Sequence, residues 1–313
     1  MNEAHLNLPE AEWMTPGHLG CQGCGAALGM RHVLKALDGK VIVVLPACCW
    51  SIIAGPFPYS ALGVPLIHTA FETAAATAAG VRAGLDVRGD RETTVMAWAG
   101  DGGTMDIGLQ ALSGAAERNE NILYVCYDNE AYMNTGIQRS SSTPLGAWTT
   151  TTPGRKTEPK KDIMQIMAAH AIPYAATATI AYPEDLVRKI RKAQAFVGTR
   201  FIHLLCPCPP GWKTSSEISV RLARLAVLTR VFPLYEIEGG VRYQLSEVRH
   251  PVPIAEYLGP QGRFRKLSDD EVERIQRNID SRWERLRQLE KASPRPASDS
   301  NRSGRRPRAA SPS

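Results

Sequence analysis

Two acids and an amide stand where strand patterns give way to glycine. The stretch AWAGDGGTMDIGLQAL (97–112) runs an apolar segment into Gly-Asp-Gly-Gly, with Asp101 at its tip and Asp106 close behind. The next apolar run, ILYVCYD (122–128), opens into NEAYMNTG, which puts Asn129 28 residues after Asp101. Glycines allow a tight turn and let backbone N–H groups approach an anion, and a following helix adds the positive end of its dipole. A carboxylate among such amides repels a phosphate unless a divalent cation lies between them, so the pattern predicts a magnesium–diphosphate site. One strand–helix–strand unit uses about 30 residues, so Asp101 and Asn129 arrive at the same edge of a sheet.

Cysteines form the second set, at 21, 24, 48, 49, 126, 206 and 208. In a reducing compartment such clusters are metal ligands or redox groups more often than disulfides. Cys21 and Cys24, ahead of a helical pattern, have the ligand spacing of zinc, of iron–sulfur or of a redox dithiol. Four thiolates would require one further ligand from Cys48/Cys49 and one from Cys206/Cys208. In an extended segment Cys48 and Cys49 point to opposite sides, whereas Cys206 and Cys208 can share a face. The residue types leave zinc and iron–sulfur both open, and Cys126, inside an apolar strand, reads as a small core residue.

The elements that must position these groups alternate. Strands are expected at 41–46, 94–99, 122–128, 175–180 and 201–206, with helical patterns at 25–37, 70–86, 106–118, 162–171 and 183–196. Continuous apolar strands separated by helices predict an α/β fold: a mainly parallel sheet with helices on both faces. Such sheets bind ligands at the carboxyl ends of their strands, where Asp101 and Asn129 stand. His68 is expected to help start the helix that follows it, and Trp98 and Tyr124 read as core. Residues 138–161 form a long irregular loop, of the length that is usually functional. After CPCPPGW (206–212) the pattern turns polar, with a strand or two near 231–245 and a final helix opened by Ser268 and the acids after it. The expected organisation is a cofactor-binding domain over 1–212, an extension over 213–290 packing on the domain or on a partner, and a tail over 291–313.

The net charge of +6 is mostly that tail: one Lys and five Arg against one Asp leave the rest of the chain near neutral. A Ser/Pro/Arg segment without large apolar residues cannot bury enough surface to offset its ordering entropy, so it is expected to be disordered. A specific nucleic-acid partner is not expected. No run approaches the ~20 apolar residues of a membrane span, and the first residues are acidic where a secretory signal is basic and then apolar. A cytoplasmic protein is the expectation.

GDGGTMDIG followed by YDNEAYMNTG resembles the diphosphate-binding half of thiamine diphosphate enzymes. With GHLGCQGCGAAL, PACCW, YDNEAYMNTGIQRSSSTPLGAWTTTTP and PCPPGW in that order, most of residues 15–290 is similar to the beta subunit of pyruvate:ferredoxin oxidoreductase and its 2-oxoacid relatives. The resemblance implies that Asp101, the Asn129 side chain and the Ala131 carbonyl hold magnesium, and that Gly100, Gly102 and Gly103 form the diphosphate turn. It implies further that Tyr132, Thr135 and Cys49 adjoin the cofactor and that Asn134 faces its reactive carbon as the catalytic residue. A 4Fe-4S cluster would be held by Cys21, Cys24, Cys49 and Cys208, with Cys48 and Cys206 as extra thiols packed beside the ligands.

The activity so implied is coenzyme A-dependent oxidative decarboxylation of a 2-oxoacid, with electrons passed to ferredoxin. Pyruvate is the first expectation; a branched-chain acid, 2-oxoglutarate or oxalate are the alternatives. No second α/β set remains for the pyrimidine-binding half of a thiamine site. The implied partners are an alpha subunit supplying that half, gamma- and delta-type subunits, and ferredoxin. A thiamine carboligase or decarboxylase would need neither Cys21 and Cys24 nor Cys208, and a structural zinc protein would leave the Asp101–Asn129 spacing to chance.

Overall fold

A computed structural model describes residues 7–294. Eight strands form one sheet: β1 (Val41–Pro46), β2 (Leu66–Thr69), β3 (Thr94–Gly100), β4 (Leu123–Asp128), β5 (Tyr174–Thr179), β6 (Arg200–Leu205), β7 (Tyr235–Glu238) and β8 (Arg242–Leu245), in the order β2-β1-β3-β4-β6-β5-β7-β8. The first six are parallel; β7 runs antiparallel to β5, and β8 antiparallel to β7.

Alternate residues of the central strands enter different cores, as the period of two requires. Leu123, Val125 and Tyr127 of β4 join the helices Gly25–Leu37 and Pro183–Gln194 on one face. Tyr124 and Cys126 join Ala74–Val87, Leu109–Glu117 and Ile163–Ala169 on the other. Burial on both faces is why these strands read as unbroken apolar runs. Trp98, Tyr124 and Cys126 are core residues, as expected.

The register sets the site. Gly100 pairs with Tyr127 across β3 and β4, and Asp128 with Leu205 across β4 and β6, so the three strands end side by side. The chain leaves β1 outward to β2 and then returns to the other side of β1 as β3, which makes the β1–β3 boundary the point where strand order reverses. Ligands of open α/β sheets bind in the crevice at that point.

Four local expectations are corrected. Residues 66–69, including His68, form the edge strand β2, and the helix begins only at Ala74. The Leu66–Thr69 strand is half exposed and four residues long, so it lacks the apolar run that marks its neighbours. The helix expected over 106–118 begins only at Leu109, and a separate short helix, Asp101–Met105, precedes it; Gly108 lies between them, where a Cβ would be 2.0 Å from the Gly103 carbonyl oxygen. A short helix, Cys49–Ile53, follows β1. The final helix runs Asp269–Ala292, so Lys291 and Ala292 of the expected tail are helical; the rest of that tail from 295 on lies outside the described residues.

Residues 213–294 pack onto the same body. Ser268 caps the final helix by accepting from the Glu271 N–H, while the Glu271 side chain accepts from the Ser268 N–H, a reciprocal capping box. The far end of that helix covers the edge strand: Glu290 accepts from the Leu245 N–H at 2.6 Å and Ser293 from the Tyr243 N–H at 2.8 Å. These bonds occupy donors that an open edge would leave for another chain.

Glu236 ties β7 to the domain. Its carboxylate accepts from the Tyr174 hydroxyl at 2.9 Å, Arg188 at 2.8 Å and Lys192 at 2.6 Å. Burial raises its pKa, but Lys192, Arg188 and Tyr174 outweigh burial and hold it at about 2 against an ordinary 4.5. A depressed carboxyl contributes stability above its unfolded pKa and loses it as pH falls through the folded value. Glu236→Gln should therefore lower stability by roughly 1–3 kcal/mol at pH 7. The difference in urea midpoint from the wild type should shrink as pH drops from 4.5 toward 2.

Candidate active site

Gly100 ends β3 and caps the helix Asp101–Met105, so the Asp101 side chain is buried at the carboxyl edge of the sheet. Asn129 follows β4 and is buried beside it. Asn129 Oδ1 lies 2.9 Å from the Ala131 carbonyl oxygen and 3.0 Å from Asp101 Oδ1. Three oxygens facing one another with no hydrogen between them are the donor set of a hard divalent cation; with the amide turned over, its nitrogen would instead donate to the other two. Burial and the neighbouring Asp128 charge push the Asp101 carboxyl well above the usual carboxylate range. A divalent cation at that point would reverse the shift, so the residues fit magnesium.

A cavity of ≈ 240 Å³ opens beside these oxygens, between the loops after β1 and β3. Its walls include Gly100, Gly102, Gly103, Tyr132, Asn134 and Thr135. The Tyr132 ring lies against Gly102 so closely that a Cβ at 102 would be 2.2 Å from it, and one at Gly103 would be 3.1 Å from Phe71. Glycine at 102 is what lets the Tyr132 ring lie directly on the backbone of the turn.

Three consecutive serines hold three acids in place. Ser140 Oγ donates to Asp101 Oδ2 at 2.5 Å, Ser141 Oγ to Asp106, and Ser142 Oγ to Asp128 Oδ2 at 2.5 Å. Asp106 also accepts from the Tyr132 hydroxyl at 2.9 Å, so the second acid of the opening motif anchors the loop and the ring over Gly102. Lys160, from the end of the same loop, reaches Asp128 at 3.0 Å and Glu130 at 2.7 Å, and His203 Nε2 lies 2.8 Å from Asp128. Burial alone would raise Asp128, but Lys160, His203 and Ser142 hold it below the ordinary range. Lys156 donates to the carbonyls of Ser141 and Thr143, and burial lowers its pKa to about 8.

The cysteines line a second cavity, of ≈ 260 Å³, which includes Cys21, Cys24, Cys49, Cys206 and Cys208. Burial pushes Cys49 up to about 12, reinforced by the facing Cys208, Cys48 and Cys24 thiols; burial, then Cys24 and Cys21, does the same for Cys208. Among the described residues no three His, Cys, Asp or Glu side chains are gathered tightly enough for one metal ion. A tetrahedral zinc with Zn–S of about 2.3 Å needs its sulfurs roughly 3.8 Å apart. A 4Fe-4S cluster spreads its thiolates over several irons and so takes sulfurs that stand farther apart.

The neighbouring thiols stand differently. Cys48 is the N-cap of the helix Cys49–Ile53, is in hydrogen-bond contact with the Tyr127 hydroxyl, and lines the first cavity only. Cys206 is fully buried in the core against the helix Gly25–Leu37, although it also reaches the wall of the second cavity. Cys49 and Asn134 line both cavities. The left-handed backbone after them is carried by Gly136 and Ile137, not by Asn134.

The structure thus brings together every residue proposed for the cofactor and cluster sites along two adjoining walls. Sequence reasoning missed Ser140, Ser141, Ser142, Lys160, His203 and Phe71. The run of three serines in an otherwise irregular loop was the available signal; the others are distant in sequence from the acids they serve.

Residues 49–204 match the family model for the C-terminal thiamine pyrophosphate-binding domain of thiamine pyrophosphate enzymes. The chain is 53% identical to the ketoisovalerate oxidoreductase subunit VorB of Pyrococcus horikoshii, over 91% of this chain and 95% of that one. It is 51% identical to the pyruvate synthase subunit PorB of Methanothermobacter marburgensis, over 90% of this chain and 100% of that one. A chain of the 2-oxoglutarate:ferredoxin oxidoreductase of Magnetococcus marinus superposes with a TM-score of 0.56 at 22% identity, covering 71% of this chain and 82% of that chain, which shows a shared fold.

Lys160 is the test of the buried charge network. Lys160→Met leaves Asp128 and Glu130 with one fewer cation, and breaking a buried pair by removing one partner costs about 3–5 kcal/mol. His203 and Arg263 remain as partners, so the lower end of that range is expected in thermal or denaturant unfolding.

Proposed function

The chain belongs to the beta-subunit family of thiamine diphosphate-dependent 2-oxoacid:ferredoxin oxidoreductases, and from that we propose that it carries the Mg2+–thiamine diphosphate site and the first 4Fe-4S cluster of a coenzyme A-dependent 2-oxoacid decarboxylating complex. The observation that carries this reading is the shared wall: Cys49 and Asn134 line both the cavity beside Asp101 and the cavity among the cysteines. Two redox partners so placed can exchange electrons without a mobile carrier.

Bound thiamine diphosphate supplies the nucleophilic carbon that adds to the oxo group and accepts the electron pair released with carbon dioxide. The chain's own residues do the rest. Asp101, Asn129 and the Ala131 carbonyl hold magnesium against the diphosphate, and the Gly100–Gly103 turn presents its backbone to the phosphate oxygens. Tyr132, fixed by Asp106, Thr135 and Cys49 frame the cofactor. Asn134 offers a neutral amide that can donate to the substrate oxygen as charge develops there. Cys21, Cys24, Cys49 and Cys208 would ligate the cluster, which would supply a one-electron acceptor beside the cofactor.

The rest of the machinery belongs to partners: an alpha subunit with the pyrimidine-binding half, gamma- and delta-type subunits, and ferredoxin. No helix among the described residues is long and apolar enough to cross a membrane, in keeping with a cytoplasmic complex. Pyruvate is the first substrate proposed. The similarity to a ketoisovalerate oxidoreductase subunit makes a branched-chain 2-oxoacid the second.

Two measurements test the reading on the purified complex. Cys21→Ser, Cys24→Ser, Cys49→Ser or Cys208→Ser should each reduce iron content and visible absorption, whereas Cys126→Ser should not; cluster loss in Cys206→Ser with retention in Cys208→Ser would reverse the choice of ligand. Asn134→Ala should keep cofactor, magnesium and cluster yet lower the oxoacid-dependent rate roughly a hundred- to a thousandfold, the scale of a preorganised donor. A panel of 2-oxoacids with a dye acceptor would identify the substrate on the same preparation.

A further inference from the structure

The turn Asn129–Ala131 carries two of the three magnesium ligands, and its backbone is clamped from several sides. The Glu130 N–H donates to Asp128 Oδ1 at 2.9 Å, and the Glu130 carbonyl accepts from Thr143 Oγ1 at 2.8 Å. Glu130 itself is in the left-handed region, φ 71°, which a non-glycine residue adopts only when its surroundings compel it. The Asn129 carbonyl accepts from the Trp212 indole N–H at 2.8 Å. In this orientation the Ala131 carbonyl makes no hydrogen bond among the described residues and faces the Asn129 amide.

Trp212 is fully buried and is itself fixed. Its backbone N–H closes the turn Pro209–Trp212 onto the Cys208 carbonyl at 2.8 Å, and Arg263 lies over its ring at 3.9 Å. Arg263 is 3% exposed; it pairs with Glu130 Oε2 at 2.6 Å and is held from behind by Gln261 Oε1 at 2.9 Å. One guanidinium therefore grips both the indole that holds Asn129 and the carboxylate of the strained residue beside it.

We propose that Trp212, held by Arg263, is a positioning residue for magnesium: its indole N–H fixes the Asn129–Glu130–Ala131 turn so that the Asn129 side chain and the Ala131 carbonyl converge on Asp101. The inference rests on the magnesium site proposed above. Outer partners of this kind commonly set metal affinity by orienting the ligands. Through Arg263 the C-terminal segment thereby reaches the proposed magnesium site.

The experiment uses the full complex, freed of magnesium and thiamine diphosphate by gel filtration, with thiamine diphosphate binding followed by equilibrium dialysis as Mg2+ is added. Trp212→Phe keeps a ring against Arg263 and removes the N–H. The magnesium needed for half-saturation should rise about tenfold, equivalent to ~1.4 kcal/mol, the scale of one hydrogen bond. Cofactor occupancy at saturating magnesium and iron content should stay at the wild-type level. Unchanged half-saturation overturns the proposal, and so does a loss of binding that saturating magnesium does not restore, since that would be collapse of the pocket. Asp101→Asn, titrated alongside, separates the two readings: if it also binds normally, the magnesium site is misplaced; if it alone is impaired, only the positioning role fails. Should Trp212→Phe not assemble, Arg263→Lys keeps the charge opposite Glu130 and loses the planar stack. A rise of about threefold is then expected, ~0.7 kcal/mol, and no rise overturns the proposal.

Discussion

Three carboxylates buried at the ends of β3 and β4 dictate much of what surrounds them. Asp101, Asp128 and Glu130 are 1%, 0% and 2% exposed, and a buried charge without a partner is costly enough to unfold a domain of ordinary stability. The long loop answers Asp101 and Asp128 with hydroxyls and Asp128 and Glu130 with Lys160, the final strand of the parallel set answers Asp128 with His203, and the C-terminal segment answers Glu130 with Arg263. Asp101 differs from the other two: it has a hydroxyl but, among the described residues, no cation within ion-pair distance, and its other oxygen faces the Asn129 amide. The carboxylate that the described residues leave without an ion pair is the one beside the first cavity.

This explains why a segment as irregular as 138–161 is held so firmly. Its backbone has little regular secondary structure to satisfy it, so Lys156 gathers three of its carbonyls, those of Ser141, Thr143 and Pro159, while Ser140, Ser141 and Ser142 spend their hydroxyls on acids. Arg155 ties the loop outward to Glu271 at the start of the final helix, at 2.8 Å, and to the carbonyls of Arg265 and Lys266. The loop is thus a bridge between the cofactor edge and the C-terminal segment, a role that its length alone predicted only as functional.

The parts of this arrangement legible in the sequence are those set by local period or by one strand–helix–strand step. The two-sided sheet followed from unbroken apolar strands, and the meeting of Asp101 with Asn129 followed from their spacing because Gly100 and Tyr127 are paired neighbours. The capping of the last helix was equally local. Lys160, His203 and Arg263 were not legible, since each reaches its acid across 30 or more residues and nothing in its neighbourhood marks it as buried. β2 escaped for the opposite reason: as a half-exposed edge it lacks the pattern that burial imposes. The way Cys48 and Cys49 part was not legible either, because it occurs at a helix cap whose position the sequence did not reveal.

The wall between the two cavities separates two kinds of ligand chemistry. On one side stand oxygens, from Asp101, Asn129 and Ala131, which suit a hard cation; on the other stand thiols, which suit iron. Met133 lies in the wall with Asn129, Cys49 and Asn134. Its sulfur packs so close to Gly211 that a Cβ there would be 2.0 Å away, and the same Cβ would be 3.4 Å from Cys208 Sγ. A thioether is a poor ligand for a hard cation and fills irregular gaps readily, so it can seal the wall without competing for magnesium. Glycine at 211 is what leaves it room: a Cβ there would displace the Met133 thioether, while at 3.4 Å it would only touch Cys208 Sγ.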